Sequence, residues 1–206
     1  MRSEAEMYKL LTDIANADDR ILAVYMNGSM TNANVPKDIF QDYDIVYVVP
    51  ETTDEDYYVK RPTEAQFQAC ANEFWWCSNN IAKGLWRGEM PYVQDMTNFV
   101  VRKQLEKMLS CKVGIKTGFQ VRVGKSAKYL YRWLDEKEYR DYLRTYFGGD
   151  IEDAWRAVFV MCDLFDTQAQ YVAEHLAYTY DKKEGEAAAA FLRHVRDLPK
   201  DAEGVW

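Results

Sequence analysis

Two carboxylates, Asp42 and Asp44, flank Tyr43 ahead of the apolar run Ile45-Val46-Tyr47-Val48-Val49. Residues 43–49 read as a strand with the Asp-x-Asp pair at its start. On a strand, residues two apart share a face. Like charges held that close are costly unless a proton or a cation lies between them. Mg²⁺ suits the position, because it takes hard oxygen ligands and often only one or two carboxylates beside substrate phosphates. Upstream, Gly28-Ser29 closes a second apolar run, Ile21-Leu22-Ala23-Val24-Tyr25-Met26. A glycine lets the backbone come close to a phosphate, and its amide with the Ser29 hydroxyl supplies donors. Metal and donors together would stabilise charge developing on an attacked α-phosphate. The same residues also fit a plainer description, the solvent face of an edge strand and an ordinary turn.

The elements that must hold these groups are few. Ser3 with Glu6 makes a capping-box pattern, and Met7, Leu10, Leu11 and Ile14 follow at helical spacing, so 3–17 reads as a helix. Strands are predicted at 21–26 and 43–49, with a polar loop carrying Pro36, or a loop with one helical turn, between them. Pro50 and the acidic stretch 51–56 end the second strand. From Pro62 the period becomes helical: one helix to about 87, a second from Pro91 to about 111, and a Gly-containing connection over 114–124. Shorter helices are predicted at 126–134 and 136–146, a long one over 151–178, and an Ala-rich one over 184–197. The fold class is therefore α+β, a small α/β domain over 1–57 followed by an all-α bundle over 58–206. One helix and two strands cannot bury both faces of a sheet. The first domain must borrow a surface or is incomplete, and a break or missing stretch is expected between about Val49 and Tyr58.

Composition narrows the function classes. The chain has 206 residues, 48% hydrophobic and 15% aromatic, enough for a real core. Its net charge of −7 disfavours a nucleic-acid partner and weakly favours a cationic small molecule. Cys70, Cys77, Cys111 and Cys162 form no CxxC pair, and only His175 and His194 could assist, which argues against structural zinc. Free thiols and the lack of an apolar leader suggest a cytoplasmic setting, and no apolar run is long enough to span a membrane.

Gly28-Ser29 followed by Asp42-x-Asp44 resembles the signature of the polymerase-beta-like nucleotidyltransferases. The wider text resembles the aminoglycoside (streptomycin) 6-adenylyltransferase family. It does so in Asn27-Gly28-Ser29, Phe40-Gln41-Asp42-Tyr43-Asp44-Ile45, Asn72-Glu73-Phe74-Trp75, Lys83-Gly84-Leu85, Lys112-Val113-Gly114-Ile115 and Val123-Gly124-Lys125. The resemblance runs over nearly all of 1–180. It implies a nucleotidyltransferase domain at 1–57 that appears to lack its later strands, and a helical-bundle domain after it. It implies transfer of AMP from ATP–Mg²⁺ to a hydroxyl of an aminoglycoside such as streptomycin, a resistance activity. Two departures stand out. Met30 sits where the family has an Arg. The chain also passes from Val49-Pro50 to Tyr57-Tyr58-Val59, skipping the stretch in which the family carries a third carboxylate.

Within the helical part, Asp95 is the candidate general base, with Tyr92, Phe99 and Arg102 on the same stripe by successive i±3/4 steps, a flank read as apolar. The resemblance also places an Asp here; a plain first-turn dipole role is the alternative. Lys83 is a candidate for the triphosphate charge, or simply a C-terminal cation on its helix. Glu73 and Glu89 could meet a cationic substrate, and Trp75, Trp76 or Trp86 could stack on a ring, though aromatic residues in bundles are commonly core. Three functions compete: an active adenylyltransferase, an impaired relative that binds nucleotide or aminoglycoside without turnover, and a helical interaction protein with a vestigial N-terminus.

Overall fold

A computed structural model describes residues 2–31, 34, 42–50 and 57–205. The chain falls into two compact units, Met1–Asp56 and Tyr57–Trp206.

The first unit holds helix α1 (Glu4–Ala17) and strands β1 (Ala23–Asn27) and β2 (Asp44–Val48). Ser3 caps α1 through the reciprocal bonds its sequence announces: the Glu6 amide donates to Ser3 Oγ at 3.3 Å, and the Ser3 amide to Glu6 Oε2 at 2.6 Å. The strands pair antiparallel, with Val24 opposite Tyr47 and Asn27 opposite Asp44. One face of the ribbon meets α1. Tyr47 Oη bonds the Leu11 carbonyl at 3.5 Å, and Tyr43 sets its ring edge-on to Tyr8. The opposite face carries Tyr25, Asn27, Asp44 and Val48, and all are exposed. No described residue of this unit is buried, which is the predicted deficiency of a two-stranded sheet. The expected break between about Val49 and Tyr58 falls on 51–56, outside the described residues.

The second unit is a bundle of α2 (Glu64–Arg87), α3 (Met90–Asp95), α4 (Arg102–Thr117), α5 (Glu136–Leu143), α6 (Ile151–Leu176) and α7 (Lys182–Asp197). The α+β class with a helical C-terminal part is thus the observed one. Apolar residues at helical spacing bury as read: Phe67, Phe74, Ile81 and Leu85 from α2 meet Leu105, Met108 and Leu109 from α4 and Met161 and Phe165 from α6. At the centre, the rings of Phe74 and Phe165 stack with centroids 3.7 Å apart. Removing one leaves a cavity that helices this long cannot close. Phe74→Ala is expected to cost about 3–5 kcal/mol, read as a lowered denaturant midpoint with an unchanged slope.

Three predicted boundaries are corrected. The second helix is not one regular helix ending near 111. It runs from Met90 to Thr117, with a π-helical segment over Met96–Val101 in its middle. It passes through Gly114 because a side chain there would overlap the Phe119 ring, and it stops at Gly118, whose φ of 63° makes the left-handed cap. The helix expected at 126–134 is instead two 3₁₀ turns, Lys125–Ala127 and Leu130–Arg132. Ser126 and Ala127 have φ of 54° and 56°, which no α-helix accepts. The helix expected over 136–146 ends at Leu143, where Arg102 draws the chain inward. Its guanidinium is buried against Thr145, bonds the Thr145 carbonyl at 2.8 Å and lies 3.7 Å over the Tyr146 ring.

Candidate active site

In the first unit, the turn after β1 brings Gly28 against Asp44. Gly28 has φ of 78°, and a side chain there would overlap the Asp44 carboxylate. Glycine is needed at this position twice over, for its backbone and for space. The Gly28 carbonyl accepts from the Thr31 amide at 3.2 Å and the Thr31 hydroxyl at 2.9 Å, folding Ser29–Thr31 into a 3₁₀ turn. Asp44 is the first residue of β2, and Asp42 lies just ahead of the strand rather than inside it. Tyr43 between them turns to Tyr8, and both carboxylates are exposed. Among the described residues no three His, Cys, Asp or Glu side chains gather as a metal site. What the unit offers is a pair of exposed carboxylates beside a glycine turn, a donor set that suits a hard cation completing its shell with phosphate oxygens and water.

In the second unit, Asp95 closes α3 with its carboxylate exposed. The apolar enclosure expected around it is open: Tyr92 is 43% and Phe99 73% exposed, while Arg102 turns into the core. Asp95 therefore lies among two exposed rings at the entry to the π-helical segment. Periodicity could not have revealed that segment, although π turns are frequent at functional sites. Lys83 is exposed near the end of α2 and lines a small pocket with Trp86, Phe191 and Leu198. Trp75 is core and donates to Tyr180 Oη at 3.2 Å, Trp76 is exposed, and Trp86 donates to the Leu198 carbonyl at 3.1 Å.

A larger cleft of this unit lies elsewhere. It measures about 1250 Å³ and is bounded by α2, α4, residues 57–62 and the loop 122–129. Seven Lys or Arg side chains line it against two carboxylates, Glu73 and Glu106. Reading the sequence by net charge missed it, because an acidic average hides a local basic surface. Val123-Gly124-Lys125 was visible as a word but not as part of a cavity. Cys70 and Cys111 also line it. Burial pushes their thiols up to about 12 and about 11, so neither is a ready nucleophile.

The model of the streptomycin adenylyltransferase family matches residues 1–53 and 49–195. The chain belongs to that family. Its members are nucleotidyltransferases, so the resemblance read from the motifs is borne out. An aminoglycoside 6-adenylyltransferase of Bacillus subtilis (strain 168) is 27% identical over 271 residues, covering 90% of this chain and 95% of the relative. One from Staphylococcus aureus is 32% identical over 137 residues, 66% of this chain and 48% of the relative. A crystal structure of an aminoglycoside 6-adenyltransferase from Bacillus subtilis shares the fold, with a TM-score of 0.64 at 22% identity, over 96% of this chain and 100% of that one. The 271-residue alignment is longer than the 206-residue chain itself, so the Bacillus subtilis relative carries residues with no counterpart here. The two stretches of the family match meet at 49–53, just after β2. That is where the chain was read as skipping part of the family's sheet. No helix among the described residues is long and apolar enough to cross a membrane.

Proposed function

We propose that this protein transfers AMP from ATP–Mg²⁺ to a hydroxyl of an aminoglycoside such as streptomycin, and so confers resistance to it in the cytoplasm. The observation that carries the reading is the packing of Gly28 on Asp44, which sets a glycine turn beside the two carboxylates in a chain of this family. Asp42 and Asp44 would hold Mg²⁺, which when bound polarises the α-phosphate and neutralises the departing pyrophosphate. The Gly28-Ser29 turn presents donors to the phosphate chain, and Lys83 is retained as a further cation toward it. The domains divide the work accordingly, with residues 1–57 serving nucleotide and metal and 58–206 serving the acceptor.

Asp95 takes the acceptor's proton at its carboxylate. The exposed rings of Tyr92 and Phe99 beside it suit a bulky, cationic ring system, whose charges the carboxylate attracts and whose apolar faces the rings cover. Asp95→Asn keeps shape and loses the base. It is expected to lower kcat by about 10²–10⁴-fold, flatten the acid limb of the pH profile, and leave ATP–Mg²⁺ affinity unchanged. Pyrophosphate release with streptomycin across pH 5–9 reads this out, and full activity in the variant removes Asp95 from the mechanism.

A second reading is favoured by a specific observation. Part of the relatives' sequence has no counterpart after β2, and Met30 replaces the family's Arg. A chain so altered could bind nucleotide or aminoglycoside without turning over. Binding of ATP–Mg²⁺ with no AMP transfer to any aminoglycoside would decide for it.

A further inference from the structure

A file of polar side chains begins beside Asp95 and has no part in the roles assigned so far. Gln94, Asn98 and Arg102 stand four residues apart, in α3, in the π-helical segment and at the start of α4. Asn98 Nδ2 donates to Gln94 Oε1 at 2.9 Å, and Arg102 Nε donates to Asn98 Oδ1 at 3.2 Å. At the outer end Gln94 Nε2 donates to the carbonyls of Phe147 and Gly148, at 3.3 and 3.0 Å. The order of donors and acceptors is forced. Carbonyls only accept, so the Gln94 amide nitrogen must face them. Its oxygen is then left for the Asn98 nitrogen, and the guanidinium, which only donates, takes the Asn98 oxygen. Each amide therefore has a single orientation, set from both ends of the file.

The file continues inward. Arg102 donates to the Thr145 hydroxyl and carbonyl and lies over the Tyr146 ring. The Tyr146 and Tyr142 hydroxyls are 2.9 Å apart, and Tyr142 donates to Glu106 at 3.1 Å. Gln94, Asn98, Arg102 and Glu106 thus keep to one side of the helix. Regular α-winding would not allow this: each four-residue step drifts by about 40°, or about 120° from Gln94 to Glu106. The wider winding of Met96–Val101 takes most of that drift back. Arg102 is buried, and it bonds neutral oxygens and lies on a ring rather than meeting a carboxylate. An apolar residue of similar volume would join these elements without the cost of desolvating a charge, so packing alone does not account for the file.

We propose that Gln94, Asn98 and Arg102 are positioning residues that hold Asp95 in its place toward the acceptor. Asp95 follows Gln94 directly and stands where regular winding gives way to the π-helical segment. Its side chain is exposed, so its placement depends on the backbone that carries it. Without the file the wide turn is free to migrate along the helix, and Asp95 moves with it. The inference rests on the reading of Asp95 as the group that meets the acceptor, and the three residues act only through it.

The test is a double-mutant cycle on the full chain: the parent, Asn98→Leu, Asp95→Asn and the double variant, each shown to be folded by circular dichroism. Asn98→Leu removes the middle link at nearly constant volume. Two quantities are read for each protein, kcat for AMP transfer to streptomycin and streptomycin affinity by titration calorimetry. In the parent background Asn98→Leu is expected to lower kcat about 10- to 100-fold and to weaken streptomycin about three- to fivefold, with ATP–Mg²⁺ affinity unchanged. In the Asp95→Asn background neither quantity should fall further, because a residue that acts through Asp95 has nothing left to hold. A side chain that merely supports the bundle would cause the same loss in both backgrounds. Equal losses in the two backgrounds, no loss in either, or no streptomycin binding by the parent overturns the inference. If Asn98→Leu does not fold, Gln94→Leu, at the less buried end of the file, takes its place in the cycle. A parent that transfers no AMP while streptomycin affinity shows the coupling overturns the proposed function and leaves the positioning role standing.

Discussion

Asp44→Asn is expected to reduce AMP transfer below detection, a loss of at least about 10³-fold, without loss of fold. The asymmetry follows from the surroundings of the carboxylate. It is exposed, and it packs against the backbone of Gly28 rather than against a cation. Structurally, then, the charge contributes little. Asn has the same shape, so the thermal midpoint should stay level. Functionally the position is different. A cation held by two carboxylates cannot lose half its protein charge and keep a triphosphate in place. The paired readout, activity against midpoint, separates a ligand from a merely tolerated surface Asp. An active Asp44→Asn protein would overturn the nucleotidyltransferase site as assigned.

Splicing the intervening segment of the Bacillus subtilis relative between Pro50 and Tyr57 is expected to slow amide exchange in β1 and β2 by about 10²–10³-fold. In the chain as it stands, these strands should exchange long before α2, α4 and α6. The reason is the bare outer face: Tyr25 is 50% and Val48 40% exposed there, beside the half-buried Val46. Covering three such side chains contributes about 1 kcal/mol or more each, given about 1.5–3 kcal/mol for full burial of one. Opening of the ribbon becomes rarer by the corresponding factor. AMP transfer should rise in the same protein, since the segment is the stretch of the relative that has no counterpart here. Unchanged exchange in the spliced chain would show that the outer face is covered by something else.

How much of this was readable without coordinates depends on the range of the forces involved. The cap of α1 was readable because Ser3 and Glu6 act within one turn. The core stripe of α2 was readable because Phe67, Phe74 and Ile81 recur with the helical period. The Gly28–Asp44 contact was foreshadowed by residue type, although the strand begins one residue later than read. By contrast, α4 outruns its predicted end because Phe119 and Val59, both outside the helix, fill the space a side chain at Gly114 would take. The turns over 125–132 follow from left-handed backbone at two residues with ordinary helical propensity. The basic cleft draws cations from three separate stretches of chain, and no local window contains it. The apolar flank expected for Asp95 failed for the same reason: spacing put Arg102 on its stripe, but Thr145 and Tyr146 pull that side chain inward.

The wide turn over Met96–Val101 carries a bond from the Arg102 amide to the Thr97 carbonyl, five residues back. Such a turn is geometrically one residue inserted into an ordinary helix. It sets the phase between two halves of one rod: the half bearing Tyr92 and Asp95, and the half bearing Lys103 and Lys107. Deleting a single residue there would restore regular winding and rotate one half against the other by about 100°. The buried stripe of α4 would hold its half in place, so the outer half would have to turn, carrying Asp95 to a new bearing. A one-codon deletion could thus redirect the acid without touching its chemistry, a change of aim that no substitution in this helix would reproduce.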